Sequence, residues 1–351
     1  MIQGAAYRPH PSGHLLSLAD KELELSKMDA ENRNPLLPPS AFEPRGVSLV
    51  DVIPEFDVDY LPPPPVRHLW RHVLLFLATC ATTFIAGVYY SDYRPDGAWV
   101  AFLRELSWPA IKDGLMYSAA LMAILFCHEM GHFVQACRYG VYASLPYFIP
   151  NPVPVIGTFG AVIRMDPQCG NRKAIFDIGI SGPLAGLLPT FALLFVGLSW
   201  SHYKEIKTHE IVLGTPPLVE YVFSWMHGPM PANNTIDYHP VAFAAWVGLL
   251  ITSINLMPIG QLDGGHILYA MFRKQAHVAS MAVLVLAITA SIVLMIPDWW
   301  FMLGVITFLG TRHPPTTDDS VPLGKGRFAL GMLTLAFLLL GFTPRPMGIA
   351  P

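Results

Sequence analysis

Charge is what this sequence has least of. Asp, Glu, Lys and Arg make up 13% of its 351 residues, about half the share found in soluble domains. Hydrophobic residues make up 53%, and the mean hydropathy is +0.43. A soluble fold with so few charges would expose apolar surface on every side, so an ordinary cytosolic enzyme is excluded and a polytopic membrane protein is implied. An excess of basic residues is also missing: 22 Lys and Arg face 25 Asp and Glu, for a net charge of −3. No positive field exists to hold a polyanion, and direct nucleic-acid binding is set aside. Cysteine is scarce. Cys80, Cys127, Cys137 and Cys169 show no repeated CxxC spacing and fall in or beside apolar runs, so they read as small buried hydrophobes. The N-terminus shows no charged start followed by an apolar core and a small-residue cleavage site, so the first apolar run is expected to act as the targeting signal.

What is present is organised in blocks. Residues 1–66 hold 11 of the 33 prolines, including the run Pro62 to Pro65, and suit a flexible tail ending in a stiff spacer. Apolar stretches follow at about 73–90, 114–136, 174–199, 241–258, 278–296, 300–311 and 327–343. A span needs about 20 residues, so the expected fold is an all-α polytopic membrane protein with six or seven transmembrane helices. With the tail placed inside, basic residues divide 16 inside to 6 outside, the asymmetry that fixes orientation in membranes. Two connections are unusual. Segment 138–172 carries Pro150, Pro152 and Pro154 and then a β-branched run to Ile163, which forbids a helix and favours a membrane-associated β-hairpin or re-entrant loop. The outer connection, 200–238, is too short for a typical independent domain, and its Asn233-Asn234-Thr235 matches a glycosylation acceptor only weakly.

The chemistry concentrates at His128-Glu129-Met130-Gly131-His132, inside the second apolar stretch. Residues four apart share a helix face, so His128 and His132 can present their imidazoles to one metal ion while Glu129 stands beside them as a base. About 0.014 matches to this pattern are expected by chance in a chain of this composition. An ionisable residue deep in a span costs about 2.5 to 3.5 kcal/mol on insertion scales, so three of them within five positions require a shared purpose.

A catalytic zinc takes three protein ligands and keeps a position open. The third candidate is Asp263, in Asn255-Leu256-Met257-Pro258-Ile259-Gly260-Gln261-Leu262-Asp263-Gly264-Gly265-His266, where proline and glycines should break the helix. His128 precedes Arg138 by ten residues and Asp263 precedes Arg273 by ten, both basic residues being assigned inside. At 1.5 Å per helical residue each lies up to ~15 Å from that face, so the two halves can meet. His266 is the rival third ligand, and Asp263 has an alternative role as the cap of a helix starting at Gly264.

The pairing of His128-Glu129-x-x-His132 with Asn255-x-x-Pro258-x-x-x-x-Asp263-Gly264 resembles the site-2 protease family of intramembrane zinc metalloproteases. Gly157-Thr158-Phe159-Gly160 and Ser181-Gly182-Pro183-Leu184-Ala185-Gly186 are similar to further segments of that family, and the resemblance covers about residues 114–272. It implies that His128, His132 and Asp263 bind Zn2+, that Glu129 is base and acid for peptide hydrolysis, and that Asn255 helps position the substrate. The hairpin around Gly157, Thr158, Phe159 and Gly160 is implied to pair with an unwound substrate strand, which suits the physical need to hold an extended peptide. Gly182-x-x-x-Gly186 reads as a close-packing surface between helices. Many family members carry a PDZ domain near the active-site helices, and none is expected in the outer connection 200–238, which has about 39 residues.

The organisation expected is therefore a tail (1–66), a first transmembrane helix and outer loop (67–113), a zinc protease core (114–272) and C-terminal transmembrane helices (273–351). The function expected is regulated intramembrane proteolysis: hydrolysis in or near transmembrane segments of membrane-spanning protein substrates. The rivals are an ion- or metal-coupled transporter, which has no use for the His pair with its adjacent Glu, and a non-catalytic binder of membrane proteins. The setting expected is a bacterial inner membrane with tail and active-site side cytosolic. The substrate and the oligomeric state are not written in these residues.

Overall fold

A computed structural model describes residues 68–91, 106–153, 156–165, 170–207, 211–311, 313 and 316–349; the Pro-rich tail expected at 1–66 lies outside them. In chain order the elements are α1 (Leu69–Tyr89), α2 (Trp108–Arg138), β1 (Tyr147–Pro150), β2 (Thr158–Val162), α3 (Arg172–Ser199), β3 (His202–Glu205), β4 (Ile211–Leu213) and α4 (Pro217–His227). They continue with β5 (Asn234–Asp237), α5 (Pro240–Asn255), α6 (Asp263–Phe272), α7 (Gln275–Val293), α8 (Trp300–Leu309), α9 (Lys325–Ala336), α10 (Leu338–Gly341) and β6 (Met347–Ile349).

The starts of the two longest helices are encoded locally. Ser107 caps α2 by accepting from the Ala110 N–H, with a proline in the first turn, and Asn171 caps α3 by accepting from Ala174 N–H. Among the described residues, four helices are long and apolar enough to cross a membrane: α1, α2, α3 and α7, with 21, 31, 28 and 19 residues. The other apolar stretches form shorter helices. α5 has 16 residues and stops at Asn255, three positions ahead of Pro258, which has no N–H to donate. α8 has 10 residues and closes on Gly310, whose φ of 85° favours glycine. The stretch at 327–343 divides at Phe337 into α9 and α10, a break that nothing in the local sequence explains.

α5 is the central helix. Every residue from Val241 to Leu250 is buried, so its apolar run carries no polar stripe. Tyr117, Leu121 and Leu125 of α2 pack against Phe243, Trp246 and Val247 of α5 in one core, the Tyr117 and Phe243 rings stacked with centroids 5.0 Å apart. The Trp246 indole N–H donates to Gly214 O at 2.8 Å, satisfying its one polar atom.

Among the described residues between α2 and α3 none is helical. β1 and β2 pair antiparallel, Tyr147 opposite Val162 and Phe148 opposite Ala161, with a bulge before Pro150 pairs with Thr158. This hairpin is fastened to α1 and α2. The Thr82 hydroxyl donates to Gly157 O at 2.6 Å, the Tyr117 hydroxyl to Ile156 O at 2.8 Å, and Phe76 meets Phe148 edge to face at 5.2 Å. Gly157 has φ of 82°, and a Cβ there would lie 2.5 Å from Thr82 O, so glycine is required both by conformation and by space. The segment expected as an outer loop at 200–238 is built of β3, β4, α4 and β5. β3 pairs with β5, and β4 pairs with β6 near the C-terminal end of the chain.

The hydroxyl of Tyr117 is thus a tie between bundle and hairpin. A hydrogen bond contributes about 0.5 to 1.5 kcal/mol net, so Tyr117→Phe is expected to speed amide exchange across 147–162 about two- to tenfold. Hydrogen-exchange mass spectrometry reads this, and unchanged rates would show that the tie is not used.

Candidate metal centre

α2 carries His128 and His132 one turn apart with Glu129 beside them, and all three are almost wholly buried, with 4–6% of their surface exposed. Buried ionisable groups of this kind require partners. The partner comes from α6, 131 positions after His132 in sequence. Asp263 Oδ2 lies 3.1 Å from His128 Nε2, Asp263 Oδ1 lies 3.2 Å from His132 Nε2, and the two Nε2 atoms are 3.2 Å apart. Among the described residues this is the one group of three such side chains whose donor atoms converge within 4.8 Å.

The spacing fits a zinc ion. With metal–ligand distances near 2.0 to 2.2 Å and tetrahedral angles, neighbouring ligand atoms lie about 3.3 Å apart. Two imidazoles and one carboxylate also match the hard and borderline donors that zinc takes. The His132 ring is oriented from behind: its Nδ1–H donates to Ile178 O of α3 at 2.8 Å. In a neutral ring that bond leaves Nε2 with its lone pair facing Asp263 and His128. Asn255, at the end of α5, brings Nδ2 to 3.4 Å from His128 Nε2.

A family model described as Peptidase family M50 matches residues 116–296, just over half of the chain. The chain belongs to this family. Among curated proteins it is similar to "Probable zinc metalloprotease EGY1, chloroplastic" of Oryza sativa subsp. japonica, 31% identical over 235 residues, covering 59% of this chain and 39% of that protein. It is similar to "Probable zinc metalloprotease EGY2, chloroplastic" of Oryza sativa subsp. indica, 31% identical over 248 residues, 69% of this chain and 44% of that protein. It is also similar to "Probable zinc metalloprotease EGY1, chloroplastic" of Arabidopsis thaliana, 28% identical over 306 residues, 79% of this chain and 54% of that protein. The chain therefore spans between 39% and 54% of the length of these relatives. No solved structure gives a significant match. The names of these relatives describe them as probable zinc metalloproteases. Family and apolar helices together support membrane association; the relatives are chloroplastic, and nothing in them points to a bacterial membrane.

Within this M50 chain the remaining candidates sort clearly. His266, the rival ligand, turns its Nδ1 to His313 Nε2 at 2.6 Å and does not join the cluster. Asp263 is not a helix cap: α6 begins on it, and its carboxylate goes to the two histidines. Gly157, Thr158 and Gly160 bond within the hairpin and to α1, and the Phe159 side chain is exposed. The hairpin residue that reaches the site is Ile163, just past β2, whose backbone N–H interacts with the Glu129 carboxylate. Ile163 ends the loop that the family resemblance implies for substrate pairing, and a contact made through backbone leaves no mark on side-chain identity.

The Gly182-x-x-x-Gly186 surface of α3 does more than bring helices together. A Cβ on Gly182 would collide with the His132 imidazole, and one on Gly186 would come within 3.0 Å of His128 Cβ. Across the same contact Ser181 Oγ donates to Gly131 O at 3.0 Å. The two glycines form the floor against which both imidazoles lie. Gly182→Ala is accordingly expected to weaken zinc binding by at least about tenfold, the scale seen when groups supporting a ligand are disturbed. Competition titration with a chromophoric chelator measures it, and wild-type affinity in that variant would contradict the assigned floor.

Proposed function

We propose that this chain is an intramembrane zinc endopeptidase in which His128, His132 and Asp263 hold the metal and Glu129 is the base and acid of peptide hydrolysis. The observation that carries the proposal is the convergence of His128, His132 and Asp263, whose ligand atoms lie within 4.8 Å of one another from two segments far apart in sequence, with the buried Glu129 carboxylate beside them. Zn2+ bound there supplies Lewis acidity, acidifying water and polarising a scissile carbonyl. Glu129 accepts the proton of the attacking water and delivers it to the leaving amide nitrogen. Asn255 Nδ2 supplies a donor at the cluster's edge, suited to the substrate carbonyl.

A transmembrane helix hides its amides in internal hydrogen bonds, so its substrate stretch must be extended when cut. Among the described residues β1 and β2 form a two-stranded sheet, leaving the second edge of β2 without a strand partner. An extended substrate added along that edge by backbone hydrogen bonds is led toward Ile163 and Glu129. Thr158, Phe159 and the glycines at 157 and 160 stand at the start of this strand. The partners proposed are membrane-spanning proteins cut in regulated intramembrane proteolysis, and the surrounding lipid bilayer, with the hairpin resting at the membrane.

The span count proposed is seven, with α5, α8 and the α9–α10 pair added to the four long helices, or six if α8 remains in one leaflet. The 16 to 6 charge split supports an orientation with the tail and the active-site side on the inner face. In a bacterial cell that side is the cytosol and the membrane is the inner membrane; for a plastid protein like the relatives, the membrane is an organelle's.

The decisive variant is Glu129→Gln, which keeps the shape and removes the base. In proteoliposomes with a single-span substrate, cleavage should fall at least about 10²-fold while bound zinc stays near one per chain. Cleavage at the wild-type rate would end this reading.

A further inference from the structure

The proposed chemistry depends on where Asp263 stands, and the helix that carries it has little to hold it in place by itself. α6 has 10 residues, and its N-cap, Leu262, makes no side-chain cap bond. Isolated helices shorter than about 12 to 15 residues are marginal in water, so α6 takes its position from its surroundings. Its first turn is pressed on backbone: a Cβ on Gly264 or Gly265 would collide with the carbonyls of Leu256 or Gly260.

The rest of α6 is tied to one stretch of chain between α8 and α9. Besides Asp263, α6 has two polar side chains, His266 and Tyr269. His266 Nδ1 lies 2.6 Å from His313 Nε2, and the Tyr269 hydroxyl donates to Asp319 Oδ2 at 2.8 Å. The Tyr269 ring also stacks on the His313 ring at 4.3 Å and 14°. Asp319 is itself fixed by the Thr316 hydroxyl at 2.7 Å.

The far end of α6 is held by Arg172, a buried side chain at the start of α3. Its Nε donates to Ala270 O at 2.6 Å and its Nη2 to Met271 O at 3.0 Å, while Nη1 reaches Val321 O at 3.4 Å. The Arg172 backbone N–H donates to Asp318 O at 3.3 Å. Carbonyls in the last turn of a helix lack intrahelical partners and carry the negative end of its dipole, which a planar guanidinium satisfies with two donors at once.

We propose that His313 and residues 316–321, together with Arg172, form a strap that sets the position of Asp263, with His313, Asp319 and Arg172 as positioning residues for the metal site. His313 and residues 316–321 lie beyond the M50 match, which ends at residue 296, whereas Arg172 lies within it. The strap touches no reacting atom; it acts through α6. This rests on the reading that His128, His132 and Asp263 bind zinc.

The test uses the full chain in detergent, with zinc affinity from chelator competition and the visible spectrum of the Co2+-loaded protein as readouts. Tyr269→Phe, His313→Gln and Arg172→Lys are compared with wild type, the first changing a single oxygen and so retaining the fold. The strap predicts zinc affinity lowered about tenfold or more and altered Co2+ bands in these variants, with the metal-free protein unfolding near the wild-type temperature in Tyr269→Phe. Wild-type affinity and spectrum in all three variants would overturn the strap while leaving the metal site standing. A wild-type chain that binds no zinc would instead overturn the reading of the site, and the strap with it.

Discussion

Everything in this structure depends on three lone pairs meeting in a buried space. Two belong to imidazoles fixed one turn apart on a single helix, and the third belongs to a carboxylate that must be delivered from more than 130 residues away. Burying such groups is costly unless they share a partner, and a dication held by two neutral rings and one anion answers that cost better than any pairing among themselves. The surrounding fold can be understood as what it takes to bring the carboxylate in and keep other atoms out.

Two devices do this. α3 presents glycine at 182 and 186, so that a helix backbone rather than side chains lies against the imidazoles, and its Ile178 carbonyl orients His132. The break between α5 and α6 then lets the chain turn back on itself, with Gly264 and Gly265 allowing backbone to touch backbone before Asp263 reaches the histidines. Lipid does not drive apolar helices together as water does, so close approach through small residues carries much of this assembly.

How much of this was legible in the sequence follows from the kind of signal each feature leaves. The His128, Glu129 and His132 pattern obeys helical spacing, so it could be read directly, and Pro258 with its glycines announced the break that delivers Asp263. The prolines of 150–154 likewise forbid a helix through that stretch. What could not be read was partnership. Nothing in Gly182 or Gly186 says that a histidine lies over them, so their surface read as helix packing alone. His266 stands in the sequence as the rival to Asp263, and only the fold shows its ring turned to His313. The stretch at 300–311 is short in sequence and short as α8, which closes on Gly310, whereas the stretch at 327–343 breaks at Phe337 with no sequence mark.

The most direct measurement is the X-ray absorption spectrum at the zinc edge of the purified, zinc-loaded protein, collected alongside Asp263→Ala. The account predicts a shell of nitrogen and oxygen donors near 2.0 to 2.2 Å, with multiple scattering from two imidazoles in both samples and loss of one oxygen donor, or loss of the metal, in the variant. Zinc bound through sulfur, or a spectrum that is the same with and without Asp263, would contradict it.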